Sequence, residues 1–386
     1  MSLKRPIFLL LVLLLMTWQV GCRQATPAPV ETVPPSFTPA PTPSETPVPT
    51  ATPNYPIQGY GPSSFPSDIN PLTGLKVDQP ALLERRPVII KISNLPRDVR
   101  PQWGLTGADI VYEYYTEEGS TRFAGIYLGN DVAQVGPIRS ARFFDANLVR
   151  MYKGLFAYGS ADKRVSRRLF SAEFADRLIL EWEAGCPAMC RYDPNLYNSL
   201  IGNTAELSAY ANQKGISNSR QNLDGMFFQM LPPPGGERAD SLYVWYSAVI
   251  YNRWDYDPAS GKYVRYADAS NALNGQPETY ALLTDRNNNL PVTADTVVIL
   301  LLNHTFYSVN PEMVEMEFSG SGPAYAFRDG LGYPVAWQVQ ADKIVSLVNP
   351  DGTPFPFKPG QTWFEVLGRT SLVHQKPAWR FEMRFP

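Results

Sequence analysis

Few residues of the kinds that metal and nucleophilic sites require are present in this sequence. Three cysteines and two histidines, His304 and His374, occur among 386 residues, and no Cys-x-x-Cys pair is found. A structural zinc site needs four cysteine or histidine ligands held close together, so we expect no metal. The phosphate-loop pattern G-x-x-x-x-G-K-[ST] and the glycine triplet of dinucleotide-binding loops are also missing. No cofactor is therefore expected.

An excess of positive charge is lacking as well. The chain has 34 Lys and Arg against 36 Asp and Glu, a net charge of −2, which disfavours a protein that coats nucleic acid. Charged residues make up 18% of the chain, whereas aromatic residues reach 12% and prolines number 37. Aromatic side chains favour strands and prolines favour turns, so the composition indicates β-rich structure. The length predicts two domains.

The amino terminus has an apolar run that is too short to span a bilayer comfortably. Lys4 and Arg5 precede the apolar residues 7–16, which is typical of a signal peptide, whereas a transmembrane helix needs about 20 apolar residues. Gly21 and Cys22 follow, as at the cleavage site of a bacterial lipoprotein, although Gln19 stands where leucine is usual. We therefore interpret residues 1–22 as a lipoprotein signal peptide with Cys22 as the lipidated residue. An ordinary secretory signal or a short membrane anchor is the alternative.

Residues 23–66 consist mainly of proline, threonine, serine and alanine, as in TPAPTPSETPVPTATP. Such a segment buries too little apolar surface to fold, and proline biases it toward extended polyproline II. We expect a disordered tether that reaches at most ~140 Å at about 3.1 Å per residue. Lipid anchor, tether and folded part together predict a protein attached to the cell membrane and facing outside the cytoplasm.

Two further cysteines, Cys186 and Cys190, lie close together in GCPAMCRYD. Outside the cytoplasm, neighbouring cysteines usually pair, so a disulfide is the favoured prediction. Free thiols are one alternative, and a pair of zinc ligands is a less favoured one.

Residues 67–235 and 236–386 differ in pattern, and the Pro/Gly-rich LPPPGGERAD (231–240) separates them. In the first part, strand patterns such as PVIIKIS and a hairpin over 109–129 alternate with helical patterns, one starting at Ser140 and one over 162–179 with Asp162 as its N-cap. In the second part strand and turn patterns dominate. SLYVWYSAVIY (241–251) is predicted as one long strand, and RWDYDPASGKYVRY (253–266) as a hairpin. We predict a mixed α+β fold, in which a layered α/β domain is followed by a β-rich, barrel- or sandwich-like domain.

Several stretches resemble, in chain order, the YerB family of bacterial lipoproteins, which has a two-part domain of unknown function (DUF3048, N- and C-terminal parts). They include NPLTGL, RPVIIKISNLPRDVRPQWGLTGADIVYE, EGSTRFAGIY, GPIRSAR, PNLYNSL, YSAVIYNRWDYDPASGKYVRYADA and PGQTWFEV. The resemblance implies a lipid-anchored envelope protein with an N-terminal mixed domain and a C-terminal β-rich domain, and it implies no activity. Family members tend to have a histidine before NLY, where this chain has Pro194, so chemistry that depends on that histidine is not expected here.

The stretch GPIRSARFF (136–144) combines two arginines with a turn and a predicted helix start. Gly136 and Pro137 favour the turn, and Ser140 is placed to cap the helix. Free N–H groups at a helix start and nearby guanidinium groups bind carboxylates or phosphates. Residues 139–168 contain eight Lys or Arg against two Asp, an excess of +6. We therefore predict an anion-binding site, with a structural ion-pair network as the alternative.

The candidate site consists of two groups of residues. The candidate ligand-binding residues are Arg139, Ser140, Arg142, Asn94, Arg97, Arg100 and Arg122. Asn94, Arg97 and Arg100 belong to the SNLPRDVRPQ loop, which follows a strand end, where ligands often bind in α/β sheets. A plain surface loop is the alternative interpretation of this stretch. Under the structural alternative, the ion-pair partners are Glu113, Glu117 and Glu118.

Two patterns keep an enzyme open as the alternative class. Ser160 follows a predicted strand and precedes a predicted helix, as a serine nucleophile often does, but the G-x-S-x-G pattern is absent. Lys163 lies close in sequence and is a candidate for the base that such a serine needs. The acidic residues near the 109–129 hairpin suit a glycosidase only if two carboxylates lie about 5–10 Å apart in a cleft. No catalytic residue is therefore assigned.

These observations favour a binding or accessory protein of the bacterial cell envelope, lipid-anchored and extracytoplasmic. We predict that it binds an anionic envelope ligand, such as a glycan, a teichoic-type polymer or a peptide carboxylate, and that its partner is an envelope polymer or an envelope protein. A hydrolase that acts on cell-wall glycan or peptide is the alternative. Exposed Arg139 or Arg142 would favour the binder, and arginines buried on Glu113 or Glu118 would favour a structural role. The sequence does not indicate the oligomeric state.

Overall fold

Strands make up most of the structure, a computed structural model that describes residues 55–385. The predicted signal peptide with Cys22, and the predicted tether up to residue 54, lie outside the described residues. Residues 55–66 pack on the folded body: Tyr60 and Phe228 exchange backbone hydrogen bonds of 2.9 and 2.8 Å. The ring of Phe65 lies edge-on to the ring of Phe228, so apolar side chains hold the chain in place before the predicted domain start at residue 67.

The first part of the described chain contains both strands and helices. Its strands are β1 (Val88–Ser93), β2 (Ile110–Tyr115), β3 (Thr121–Tyr127), β4 (Leu155–Tyr158), β5 (Leu178–Leu180), β6 (Met189–Arg191) and β7 (Leu200–Gly202). Its α-helices are α1 (Asp145–Tyr152), α2 (Lys163–Phe170), α3 (Glu181–Ala184) and α4 (Thr204–Gln213). Short 3-10 helices cover Pro80–Glu84, Arg97–Val99, Leu105–Gly107 and Ala175–Arg177.

The second part consists of strands and their connections. Its strands are β8 (Glu237–Arg238), β9 (Ser241–Trp245), β10 (Tyr251–Asp257), β11 (Lys262–Asp268), β12 (Tyr280–Leu282), β13 (Thr293–Ala294), β14 (Thr296–Val309), β15 (Glu312–Glu317), β16 (Gly320–Arg328), β17 (Leu331–Val339), β18 (Ser346–Val348), β19 (Thr362–Gly368), β20 (Leu372–His374) and β21 (Trp379–Glu382). Among the described residues, no helix has the length and apolar character needed to cross a bilayer.

One twelve-stranded mixed sheet takes strands from both parts. Its order is β18-β17-β16-β14-β19-β2-β3-β1-β4-β5, with β15 added beside β14 and β8 beside β17. β19 of the second part lies parallel to β2 of the first, from Thr362 beside Ile110 to Val366 beside Tyr114. Strands on both sides of the predicted boundary at residue 235 therefore share one sheet.

The centre of this sheet is covered on both faces. Every residue of β1, β2, β3, β4 and β19 is buried, as expected for strands with layers on either side. On β2 the side chains alternate: Tyr112 and Tyr114 contact Phe144 near the start of α1, whereas Glu113 faces the second sheet. Because side chains alternate along a strand, the Glu113 carboxylate lies on the face of β2 opposite to Tyr112 and Tyr114.

The second sheet has seven strands in the order β12-β11-β10-β9-β21-β20, with β13 beside β11. β9, β10 and β11 pair antiparallel, while β21 lies parallel to β9. Each of these two sheets has edge strands at both ends of its order, so neither closes on itself. The fold is therefore a mixed, mostly β structure of layered open sheets, which confirms the predicted fold class.

A buried ion-pair cluster joins the two sheets. Arg265 of β11 donates to Glu365 of β19 (2.8 Å) and to Glu113 of β2, and all three side chains are at most 1% exposed. Trp254 Nε1 donates to Glu365 (2.9 Å), and Tyr246 Oη donates to the same carboxylate (2.9 Å). Burial, reinforced by the Glu365 carboxylate, raises the pKa of Glu113 above its usual range, although Arg265 opposes this shift.

Two element predictions differ from the structure. The predicted long strand over 241–251 is instead the pair β9 and β10, because Ser247 turns the chain: its hydroxyl accepts from Val249 N and Ile250 N, at 3.1 Å each. The predicted helix that continues past residue 170 ends at Phe170, and β5 then joins the sheet edge beside β4. The predicted N-cap is confirmed, since Asp162 accepts from Arg164 N (2.8 Å).

Candidate functional site

The candidate site lies where a chain segment enters the gap between two parallel strands. β1 and β4 pair at only three residue pairs. Beyond them the 137–141 segment runs between the strands: Arg139 N donates to Lys91 O (3.0 Å), and Gly159 N donates to Arg139 O (3.1 Å). The carboxyl ends of parallel strands are a common place for ligand sites in α/β proteins, and the GPIRSAR stretch lies at such an end.

Helix α1 begins at Asp145 rather than at the predicted cap, Ser140. The Asp145 carboxylate accepts from Arg142 N (2.6 Å) and so fixes the turn that leads into the helix. The hydroxyl of Ser140 lies 2.9 Å from Ser160 Oγ instead. The predicted cap was wrong because the 137–141 segment pairs with strands before the chain turns into the helix.

A fully buried lysine lies directly beneath this segment. Lys91 Nζ contacts the Tyr114 hydroxyl and lies 3.3 Å from Asp145 Oδ1, and the lysine and aspartate side chains are 0% exposed. The Tyr114 hydroxyl in turn donates to Asp145. Burial lowers the pKa of Lys91 to about 7, although the Asp145 carboxylate opposes this shift. Burial also raises the pKa of Asp145.

Two of the predicted arginines bind one carboxylate. Arg142 donates to both oxygens of Glu117, and Arg122 donates to Glu117 Oε1 (3.1 Å) and to Ser140 O (2.6 Å). Burial alone would raise the pKa of Glu117, but hydrogen bonding to Arg142 and the charges of both arginines bring it below its usual range. Arg122 and Arg142 therefore share one carboxylate partner within the site.

An open cleft of about 320 Å³ lies beside this ion pair. Its lining includes Arg142, Ser140 and Ser160 together with the carboxylates of Glu117 and Glu312. Because Glu117 pairs with Arg142 and Glu312 adds a second carboxylate to the lining, the charges in the cleft do not favour an anion there. The Ser140 and Ser160 hydroxyls bond to each other, and among the described residues no base contacts Ser160 Oγ.

Arg139 differs from the other predicted arginines. Among the described residues no carboxylate pairs with it, and its Nε atom is buried without a hydrogen-bond partner. Its guanidinium lies over the ring of Tyr197, 4.7 Å from the ring centroid, an arrangement that attracts the cation to the ring face. A half-buried cation with unused donors is a suitable partner for a carboxylate or phosphate.

Most of the other positive charge in residues 139–168 is compensated locally. Arg150, Arg164 and Arg168 pair with Glu173, Asp162 and Glu315, respectively. Lys153 donates to the carbonyls of Asn222 and Asp342. Because Asp162 is already counted in the excess of +6, the carboxylates from outside the segment are Glu117, Glu173 and Glu315, and they offset half of that excess.

The predicted ligand-binding residues of the SNLPRDVRPQ loop bind residues of both sheets instead of Arg139. Arg97 and Arg100 both bind the carboxylate of Asp268 at the end of β11, at 2.7 and 3.0 Å. Asn94 is buried, donates to Glu113 Oε1 (3.0 Å) and accepts from Arg100 Nε (3.1 Å). The SNLPRDVRPQ loop is thus tied to β11 by ion pairs.

The three predicted glutamate partners occupy different surroundings. Glu117 pairs with Arg122 and Arg142, whereas Glu113 pairs with Arg265 between the sheets. Glu118 is exposed in the β2–β3 turn, with a φ of 49°. The structure therefore gives a carboxylate partner to two of the arginines in the GPIRSAR region and leaves Arg139 without one among the described residues.

The predicted disulfide between Cys186 and Cys190 is confirmed, with 4.9 Å between the two Cα atoms. It closes the connection between α3 and β6. Within residues 55–385, no group of three or more His, Cys, Asp or Glu side chains is arranged to hold a metal ion.

Sequence reasoning missed three residues that shape the site: Lys91, Tyr114 and Tyr197. Lys91 and Tyr114 lie inside apolar strand patterns, and a lysine within the run PVIIKIS was the available signal, because an unpaired charge is rarely buried. Tyr197 lies in PNLYNSL, far along the chain from GPIRSAR. Local pattern gives no indication that these two stretches meet.

The fold and the site together define a two-part, mostly β protein whose halves share a sheet. The family description "Protein of unknown function (DUF3048) N-terminal domain" matches residues 72–217, and "Protein of unknown function (DUF3048) C-terminal domain" matches residues 242–364. The chain therefore belongs to the DUF3048 family, as its resemblance to YerB-like proteins predicted.

A curated relative and a solved structure are similar to this chain. "Putative lipoprotein YerB" of Bacillus subtilis (strain 168) is 27% identical over 303 residues, which cover 77% of this chain and 85% of that protein. The crystal structure of the YerB protein from Bacillus subtilis matches with a TM-score of 0.65 at 24% identity, over 78% of this chain and 96% of that one. The structural match shows a shared fold.

Proposed function

We propose that this protein is a lipid-anchored extracytoplasmic binding or accessory protein of the bacterial cell envelope, with an anionic envelope ligand bound at Arg139. The leader that ends in Gly21 and Cys22 and the Pro/Thr-rich segment after it support the anchor. The similarity to YerB, which is named as a lipoprotein, supports the same assignment. The disulfide suits an oxidising compartment.

One observation carries the ligand part of the proposal. Arg139 is half-buried and held over Tyr197, and among the described residues its guanidinium has no carboxylate partner. Buried cationic groups without partners are costly, and an anion from outside would supply the missing hydrogen bonds. Arg122 and Arg142 differ from Arg139 because both already donate to a carboxylate, that of Glu117.

The alternative of an envelope hydrolase has no comparable support. Glu113 and Glu365 are fully buried on Arg265, so they are not presented to a glycan. The open cleft has two carboxylates in its lining, but Glu117 is bound by Arg142, and Glu312 accepts from the Tyr115 hydroxyl (2.6 Å). Ser160 contacts only the hydroxyl of Ser140 among the described side chains. A nucleophile needs a base within hydrogen-bond reach, and a glycosidase needs two carboxylates that face a cleft with room for the sugar.

The ligand proposal is tested by replacing Arg139 in the full chain. We expect Arg139→Ala to weaken retention on purified envelope fragments about tenfold, since a charge-assisted hydrogen bond is worth roughly 1.5–3 kcal/mol. Arg238→Ala is the matched control, because the Arg238 side chain is 84% exposed and lies outside the site. Retention is measured by co-sedimentation at two salt concentrations, with thermal unfolding in parallel. Unchanged retention, or a collapse of stability, would contradict the binding role.

The anchor is tested at Cys22. A radioactive fatty acid fed to the producing cells should label the wild-type chain and not Cys22→Ala. The variant should also be released from the membrane fraction, because the acyl chains supply about 0.8 kcal/mol per buried CH₂ group. Equal labelling of both chains would remove the lipid anchor from the proposal.

A further inference from the structure

Several exposed apolar side chains belong to the chain segment whose Tyr197 contacts Arg139. In a chain whose large apolar residues are mostly buried, Trp182 is 73% exposed, Tyr197 71%, Leu196 50% and Tyr192 46%. All four fall within residues 182–197, in the connections around the disulfide. Clustered exposed aromatic side chains mark interaction surfaces, whereas isolated ones are ordinary. We call Arg139 and these four residues the aromatic face.

The backbone that carries the aromatic face is held in place. Arg191 binds both oxygens of Glu181, beside Trp182, and donates to the carbonyls of Leu196 (3.3 Å) and Tyr197 (3.2 Å). The disulfide closes the connection between these two segments. Rings on an ordered backbone lose little conformational entropy when they bind a ligand, so this face is organised for binding before a ligand arrives.

Cationic groups flank the aromatic rings. Arg139 lies over Tyr197, 4.7 Å from its centroid. At the other side, the rings of Tyr192 and Trp103 are 5.0 Å apart, and Arg286 lies 4.1 Å over Trp103. The face therefore combines exposed aromatic rings with guanidinium groups that lie over Tyr197 and over Trp103.

This combination suits a sugar polymer that carries carboxylates. A pyranose ring presents a face of C–H groups that packs on an aromatic ring, while its carboxylate accepts from a guanidinium.

We infer that the aromatic face binds a carboxylated polysaccharide, with sugar rings packed on Tyr197 and Trp182 and an acidic group bound by Arg139. The inference rests on the proposed anion site and names the chemical class of its ligand. Arg139 binds the acidic group, and the two exposed aromatic rings bind the faces of the sugar rings. A polymer that bears only one of these two features binds more weakly than one that bears both.

The experiment compares three probes on the full chain by isothermal titration and tryptophan fluorescence. The probes are oligogalacturonate, which has sugar rings and carboxylates, a neutral N-acetylglucosamine hexamer, and poly-glutamate, which has carboxylates without sugar. We expect oligogalacturonate to bind at least about tenfold more tightly than either other probe. Tyr197→Ala and Trp182→Ala should each weaken its binding several-fold, while Tyr197→Phe retains it.

Tyr307→Ala is the matched control, because Tyr307 is 48% exposed on β14, away from the aromatic face, and it should leave binding unchanged. If poly-glutamate binds as tightly as oligogalacturonate and only Arg139→Ala weakens it, the sugar assignment is overturned and the anion site stands. If none of the three probes binds, the carboxylated-polysaccharide inference falls, and the anion site is then decided by the retention of Arg139→Ala on envelope fragments. Co-sedimentation with phosphatidylglycerol vesicles that depends on Trp182 and Tyr197 would assign the face to membrane instead and overturn the inference.

Discussion

At the scale of single residues, the charges buried in this protein are the most informative feature. Lys91, Asp145 and Arg265 are each at most 1% exposed, and each contacts a group of opposite charge. Removing one partner of a buried pair costs more than the pair contributes, because the remaining charge stays out of water. Arg139 stands apart from them, since it is only half-buried and has no such partner among the described residues. This contrast separates scaffold arginines from the arginine available for a ligand.

His304 predicts a pH-dependent stability. It is buried on β14, and burial lowers its pKa to about 4, while Nδ1–H donates to Leu302 O (3.0 Å). Between that value and the usual value near 6.5, the unfolded chain binds a proton that the folded chain does not, so the free energy of unfolding falls as the pH falls through this window. From pH 7 to pH 5 we expect wild-type protein to lose about 2 kcal/mol that His304→Gln does not lose.

Urea unfolding at both pH values measures this difference. His374→Gln is the matched control, because His374 is exposed, and it should behave as wild type does. The same pH slope in wild type and His304→Gln would show that the buried ring does not titrate in this way.

At the scale of elements, local pattern predicted those units whose partners are near in sequence. The strand at PVIIKIS, the hairpin of β2 and β3 and the hairpin of β10 and β11 were all visible, because alternation and turn residues define them locally. The placement of β19 between β14 and β2 was not predictable, because the local pattern of GQTWFEVLG does not indicate which strands it pairs with. For the same reason the approach of Tyr197 to Arg139 could be found only in space. The arginine site was predicted in part. The sequence identified the stretch GPIRSAR, but it did not indicate which of the arginines lacks a carboxylate partner.

The contact between the sheets depends on Arg265. We expect Arg265→Met to lower the free energy of unfolding by about 3–5 kcal/mol, because Glu113 and Glu365 would be left buried without their cation. The combination of Arg265→Met with Glu113→Gln and Glu365→Gln removes both charges and should recover much of that loss. Chemical unfolding followed by tryptophan fluorescence reports the change, since Trp254 bonds to Glu365. A loss below about 1 kcal/mol for Arg265→Met would mean that the carboxylates are already neutral.

At the scale of the whole molecule, the two sequence halves depend on each other. β19 from the second half fills the centre of the large sheet beside β2, and Trp363 packs edge-on against Phe123 of β3, 5.2 Å between ring centroids. Without β19, strand β2 would expose an unpaired edge and apolar side chains that are otherwise buried. The halves are therefore expected to fold together rather than separately.

A truncation tests this dependence. Residues 53–235 alone should be aggregated or lack a cooperative unfolding transition, whereas co-expression with residues 236–386 should yield a soluble complex. Size-exclusion chromatography and thermal unfolding distinguish these states, with the full chain as reference. A soluble, cooperatively unfolding 53–235 fragment would instead establish the first half as an independent domain.

The pairing of Tyr60 with Phe228 has a mechanical consequence. Phe228 also forms an isolated parallel β-bridge with Phe357. From Phe357 the chain continues into β19, which begins at Thr362. Tension applied at residue 55 would first load the two short hydrogen bonds between Tyr60 and Phe228, and then pass to the strand at the middle of the large sheet.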